Sequence, residues 1–329
     1  MPALRTVIEA ALAAHRDGDA ATLAVVVATE GSTYVGPGAM AVFGESTGQV
    51  GWLSGGCLEP EIERRARDVA AGGNPAWMSI DTRDDTALFS GSAVGCRGQL
   101  HIVLLPLAGL PGWTGLAQAW LAGQGGLHLS FVGAGTIDAR VAALRQCWEF
   151  ERVDTFDDAC ALRDVALHLP PPPTVLVLGA GPETSLLLSL LKSLGWVTTL
   201  AECRPRWRPQ ADAADHVLAL SPGDALAVQG GDGKDGGGIW DAALIMHHHF
   251  ELDREALVAL AASAIPFIGL LGPVRRREDL FKLLPDATRQ ALLPRLHSPV
   301  GLNLGGQGPE AIALSIAAQL QSLHIGTAA

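Results

Sequence analysis

The sequence predicts an α/β protein of two domains, the second a doubly wound parallel sheet, and three observations carry that prediction. The chain has 329 residues, more than the ~250–300 at which one hydrophobic core stops growing. A run of four prolines, Pro170 to Pro173, can continue neither a helix nor a central strand and so marks a stiff lead-in. Directly after it, short apolar strands alternate with helical patterns, the signature of crossover connections in a parallel sheet.

The elements follow in order. Leu4, Val7, Ile8, Ala11 and Leu12 have helical spacing, and "ATLAVVVATEGS" reads as a buried strand entering the glycine-rich "EGSTYVGPGAM". Short strands at "MAVFG" and "QVGWLS" are separated by the turn residues "ESTG". A helix from about Leu58 to Ala71 starts with Glu59, Glu61 and Glu63, where the helix dipole favours carboxylates. "NPAWMSID" and "GQLHIVLLPL" complete a first α/β domain over residues 1–125. Residues 126–173 read as a connecting segment ending in the proline-rich linker, and short apolar runs there do not separate strand from helix. The second domain, 174–329, begins with strand, glycine turn, helix and strand in "TVLVLGAGPETSLLLSLLKSLGWVTTLAE". Strands at "DHVLAL", "DAALIMH" and "IPFIGLL", a helix at "DREALVALAAS" and a last helix from Pro309 to about Leu323 follow.

Bulk composition excludes several classes. A formal charge of −11 disfavours nonspecific nucleic-acid binding, which needs clustered cations. No run of about 18 apolar residues spans a bilayer, and the N-terminus lacks the unbroken apolar core of a signal peptide, so no membrane role and a cytoplasmic protein are expected. Five cysteines, an odd number, do not suggest a disulfide framework, and no spacing announces a metal site.

Four constellations can carry chemistry. Gly179 and Gly181 follow a strand as in a dinucleotide-binding turn, with Thr184 where a third glycine is usual. Glu202, at the end of the next strand, stands where an acid can accept ribose hydrogen bonds, so this Rossmann-like domain can bind NAD(P) or another nucleotide, or use the turn only structurally. His247, His248 and His249 sit at a strand's carboxyl end, where open α/β sheets bind ligands. A continuing strand would point His248 away from the other two, and Asp253 would cap the next helix. His297, Ser298 and the glycines 305, 306 and 308 form a loop whose amides can face an anion or simply turn the chain. Finally, Cys57 follows Gly55 and Gly56 at a helix start, which lowers a thiol pKa, and Cys96 has Arg97 beside it. Each is either a small buried hydrophobe or a presented thiol; Cys147, Cys160 and Cys203 lack such context and read as structural.

Together these residues resemble the XdhC/CoxI family, the accessory factors of xanthine dehydrogenase and related molybdenum hydroxylases. "EGSTYVGPGAMAVF", "GWLSGGCLEPEI" and "GCRGQLHIVLLP" resemble its N-terminal module. "VLVLGAGP", "IMHHHFELDREAL", "FIGLLGPVRRREDL" and "RLHSPVGLNLGGQGPEAIALSI" resemble its C-terminal Rossmann module, in matching order. The resemblance implies a chaperone that binds the molybdenum cofactor (a molybdopterin), holds it while a cysteine desulfurase supplies the sulfido ligand, and passes it to the hydroxylase. Gly55, Gly56, Cys57 and Cys96 match the family's cysteine motifs, His248 its strand-end histidine, and His297 to Gly301 its His-Ser-Pro loop. Arg97 stands in place of a usual glycine, Pro182 and Glu183 in place of His-Val, and His247 and His249 in place of Thr and Asp or Asn. The candidate cofactor contacts are thus Gly55, Gly56, Cys57, Cys96, His248, His297 and Ser298 as the resemblance implies, Arg97 as the cation beside Cys96, and Gly179, Gly181 and Glu202 from the dinucleotide-like turn, with molybdenum or sulfur at Cys57 and Cys96. Soft thiolates suit that metal. A homodimer is expected. An NAD(P)-dependent oxidoreductase and a docking scaffold for hydroxylase maturation are the alternative readings.

Overall fold

The computed structural model describes residues 4–56, 58–81, 98–133, 135–156, 164–229 and 240–325. The chain divides into two compact units, Met1–Pro172 and Pro173–Ala329, and the division falls inside the proline run.

The first unit opens with helix α1 (Leu4–Asp17), strands β1 (Ala21–Gly31), β2 (Met40–Gly44) and β3 (Gly48–Val50), and helix α2 (Glu59–Gly72). Strands β4 (Ala76–Asp81) and β5 (Gly98–Pro106) and helix α3 (Trp113–Leu121) follow. Then come β6 (Leu127–Val132), β7 (Thr136–Val141), β8 (Leu144–Glu149), β9 (Asp154–Thr155) and β10 (Asp164–Leu169). They make a six-stranded sheet, β3-β2-β1-β5-β4-β9, and a four-stranded one, β10-β6-β7-β8. Strand alternation sorts β1 into two cores. Leu23, Val25 and Val27 meet α1, α3 and the inner face of the small sheet, while Ala24 and Val26 meet Ile62, Ala66 and Val69 of α2. Residues 127–169 thus contribute Leu127, Leu129, Phe131, Ile137 and Trp148 to the first unit's core. The stretch "ARVAALRQCW" is a hairpin whose register pairs Val141 with Leu144 across a two-residue turn. Ala142 takes φ 49 there, a conformation that hairpin turns usually assign to Asn or Gly, which hides the turn in the sequence.

In the second unit, strands β11 (Thr174–Leu178), β12 (Val197–Ala201), β13 (His216–Leu218), β14 (Ala242–Ile245), β15 (Phe267–Leu270) and β16 (Leu296–His297) are all parallel. Their order, β13-β12-β11-β14-β15-β16, is the 3-2-1-4-5-6 order of dinucleotide-binding sheets. Helices α4 (Thr184–Ser193) and α9 (Pro309–Ile325) cover one face. Helices α5 (Pro222–Gln229), α6 (Phe250–Ala261), α7 (Val274–Lys282) and α8 (Asp286–Leu292) contribute to the other. Between β12 and β13 the chain runs as a 3-10 helix, Pro205–Ala213, in which Pro209 lacks the interior donor that an α-helix would use. The α/β class and the doubly wound second sheet agree with the sequence reading. No helix among the described residues is long and apolar enough to cross a membrane.

Candidate functional site

The first candidate is the turn between β3 and α2. Gly55 and Gly56 hold φ of 73° and 106°, the left-handed region where a side chain is strained. One carboxylate organises the turn. Glu59, first residue of α2 and 3% exposed, accepts from the amides of Leu53 (2.9 Å), Ser54 (2.8 Å) and Gly56 (2.8 Å) and from the Ser54 hydroxyl. The Ser54 oxygen in turn accepts from the Leu58 amide at 2.8 Å. Burial alone would raise the Glu59 pKa, but the hydrogen bonds from Ser54 and Leu53 overcome it and hold the carboxyl below its ordinary value. Glu59 is therefore a keystone of the loop, a role that helix-dipole considerations do not anticipate. Two aromatic rings lie beside the turn. A Cβ on Gly55 would stand 3.2 Å from the Tyr34 ring, and one on Gly56 would stand 3.9 Å from Trp52. Cys57, Cys96 and Arg97 lie outside the described residues, as does Cys160. Cys147 is exposed on β8 and Cys203 is half-buried.

The second candidate is the carboxyl edge of the parallel sheet. Gly179 has φ 89°, and a Cβ there would lie 2.6 Å from the Cα of His247, so glycine is required by packing as well as by the turn. The Ala180 amide donates to Glu202 at 2.8 Å and the Gly181 amide to the Thr184 hydroxyl at 2.9 Å. Thr184, at the third glycine position, thus fills a structural place at the helix start. Glu202 is saturated: it also accepts from the Arg204 amide (2.7 Å) and from the guanidinium at Nε (2.9 Å) and Nη2 (2.7 Å). Burial would raise its pKa, and the Arg204 side chain and amide, with the Ala180 amide, bring it below the ordinary value. Arg204 also donates to the carbonyls of His247 (2.8 Å) and Ala180 (3.0 Å), which fastens β11, β12 and β14 together at the switch point.

The histidines separate in a way that strand alternation did not predict. β14 ends at Ile245, and His248 turns into the left-handed region at φ 53°. His247 is buried with Nδ1 3.2 Å from Asp253, which also accepts from Arg276 at 2.6 Å. His248, half exposed, places Nε2 3.1 Å from the buried Glu183, and that contact raises its pKa. His249 is the residue that caps α6, its ring nitrogen facing the Leu252 amide at 3.5 Å, while Asp253 serves the buried pair instead. His297 stacks on Phe267 with centroids 4.2 Å apart, and burial lowers its pKa. The Ser298 carbonyl accepts from Arg277 at 3.2 Å. A cavity of about 310 Å³ lies nearby, lined among others by Leu271, Pro299, Leu302, Gly305, Gly306 and Ile312.

Sequence reasoning missed Arg204 and Arg276. Arg204 lies just past β12 in "AECRPR" and Arg276 in the first turn of α7 in "GPVRRRED", where nothing local sets it apart from Arg275 and Arg277.

Comparison with known proteins accords with both units. Residues 14–81 match the XdhC and CoxI family and residues 175–320 the XdhC Rossmann domain. A Bacillus subtilis (strain 168) protein, named as a probable subunit of xanthine dehydrogenase, is 25% identical over 325 residues, covering 92% of this chain and 93% of the relative. The uncharacterized protein YqeB of Escherichia coli (strain K12) is 40% identical over 70 residues, 21% of this chain and 13% of that protein. A crystal structure from Bacillus halodurans described as a xanthine dehydrogenase superposes with a TM-score of 0.76 at 27% identity, covering 98% of this chain and 96% of the other.

Proposed function

This chain belongs to the XdhC and CoxI family, and from that premise we propose that it is a maturation factor for xanthine dehydrogenase or a related molybdenum hydroxylase. Its cargo is the molybdenum cofactor, which it holds during sulfuration by a cysteine desulfurase and then delivers. The observation that carries this reading is the Gly55–Gly56 turn, pre-formed on the buried Glu59 and leading directly into Cys57. A turn whose geometry is fixed before the ligand arrives loses little freedom on binding. The cargo combines a flat pterin with a soft dithiolene-bound metal, so a thiol beside an open backbone suits it. In this reading Cys57, with Cys96, meets the metal or the transferred sulfur.

The oxidoreductase alternative draws less support from the second unit. The Ala180 and Gly181 amides and the Glu202 carboxylate, which a dinucleotide would use, all bond within the chain. The carboxyl edge is held as a framework, with His248 and Glu183 standing over Gly181.

The test is extraction and oxidation of the protein after co-expression with cofactor synthesis. We expect fluorescent pterin at close to one per chain, and its loss in Cys57→Ala. Wild-type protein without pterin would refute the reading.

A further inference from the structure

Large aromatic side chains are normally withdrawn from water, since each gives up substantial burial when left outside. Among the described residues only two exposed large hydrophobic side chains are aromatic, Tyr34 at 57% and Trp52 at 49%. Tyr34 is the chain's single tyrosine. Scattered exposed apolar residues need no explanation, but these two are not scattered. Tyr34 leaves β1 and Trp52 follows β3, 18 positions apart in the chain, and both rings come to rest against the same glycine pair.

The glycines make the arrangement useful. Gly55 and Gly56 are exposed backbone without a Cβ, and the atoms nearest their Cβ positions belong to the rings, Tyr34 at 3.2 Å from the first and Trp52 at 3.9 Å from the second. Glu59 takes the Leu53, Ser54 and Gly56 amides, so this backbone is rigid and its Gly56 donor is already engaged. An anion held by that amide is therefore not what the site is built for. Two exposed aromatic rings beside bare peptide suit a planar, electron-poor ring, as in proteins that stack bases on aromatic platforms.

We infer that Tyr34 and Trp52 form a stacking rim that binds the bicyclic pterin ring of the cargo over the Gly55–Gly56 turn. This rests on the function proposed above and adds to it the residues that recognise the organic half of the ligand, separate from the thiols assigned to the metal. Both residues are binding residues in this assignment. They make no bond and move no proton.

The experiment titrates the full chain with 6-hydroxymethylpterin phosphate, read by the anisotropy of pterin fluorescence, because eight tryptophans would confuse a protein-based signal. Tyr34→Ala and Trp52→Ala are each expected to weaken binding about tenfold, the size of one aromatic stack. Tyr34→Phe and Trp52→Phe, which keep a ring, should bind close to wild type. Since both side chains are exposed, the fold should survive, and equal urea midpoints would confirm it. Alanine variants that bind the pterin like wild type would overturn the proposal while leaving the maturation role intact. So would wild-type protein that co-purifies with cofactor but binds no free pterin. Alanine variants that keep the pterin yet fail to deliver cofactor to the hydroxylase would also overturn it, reassigning the rim to protein docking. If wild type holds no pterin in either assay, the maturation reading itself fails.

Discussion

The two glycine turns of this protein look alike in sequence and differ in what they leave open. Both use left-handed glycines, Gly55 and Gly56 in the first unit and Gly179 in the second, and both lead into a helix. Each gives amide donors to a buried carboxylate, Glu59 or Glu202. Around Glu202, however, Arg204 neutralises the charge and spans to the His247 carbonyl, while Glu183 and His248 crowd the space a Gly181 side chain would take. Around Glu59 the described residues offer no cation, and the turn is flanked by exposed rings. A glycine turn before a helix is thus not in itself an anion site. With the amides engaged in both, what distinguishes the two is what stands around the turn.

The comparison can be broken most sharply at its keystone. Glu59→Ala removes the acceptor of three amides and a hydroxyl, each costly to leave buried and unpaired, and should destabilise the first unit by about 3 kcal/mol or more. Urea denaturation measures this, and a loss below about 1 kcal/mol would show that water replaces the carboxylate freely. The glycines themselves come next. Gly179→Ala drives a Cβ into His247 at positive φ and should cost about 2–3 kcal/mol. Gly55→Ala, whose neighbour is the movable Tyr34 ring, should cost about 1 kcal/mol. Equal costs at the two sites would contradict the contrast between an open turn and a packed one.

Acid should act on both turns in the same direction. The Glu59 and Glu202 pKa values are depressed in the folded chain, so their contribution is complete above the ordinary carboxylate range and is lost as pH falls through it toward the folded values. Denaturation midpoints measured from neutral pH downward should fall, and Glu59→Gln should flatten part of the dependence. The smallest effect belongs to His248. Its raised pKa means that its contact with Glu183 contributes below the ordinary imidazole value and is lost as pH rises through the folded value. Proton NMR should find the His248 titration above the ordinary imidazole value in wild type and shifted back toward it in Glu183→Gln.

Much of this was legible in the sequence, and the rest was hidden for identifiable reasons. The parallel sheet could be read because β11, β14 and β15 are short, buried but for Thr174 at the start of β11, and separated by helical patterns. The small antiparallel sheet could not, because its tightest turn uses Ala142 and Ala143, which carry no turn signal. The carboxyl-edge network joins residues remote in sequence, Arg204 with His247 and Glu183 with His248, and no local pattern reports such pairs. Glu59 was in view as a helix-start carboxylate. Its larger role depends on Leu53 and Ser54 folding back onto it, which only the three-dimensional path of the turn reveals.

The central claim, a turn flanked by exposed rings in the first unit and one packed over by side chains in the second, is tested most directly by offering one preparation both kinds of ligand. Wild-type protein titrated with 6-hydroxymethylpterin phosphate and, separately, with NADH and NADPH should bind the pterin and leave both dinucleotides free. Tight dinucleotide binding with no pterin binding would contradict the account.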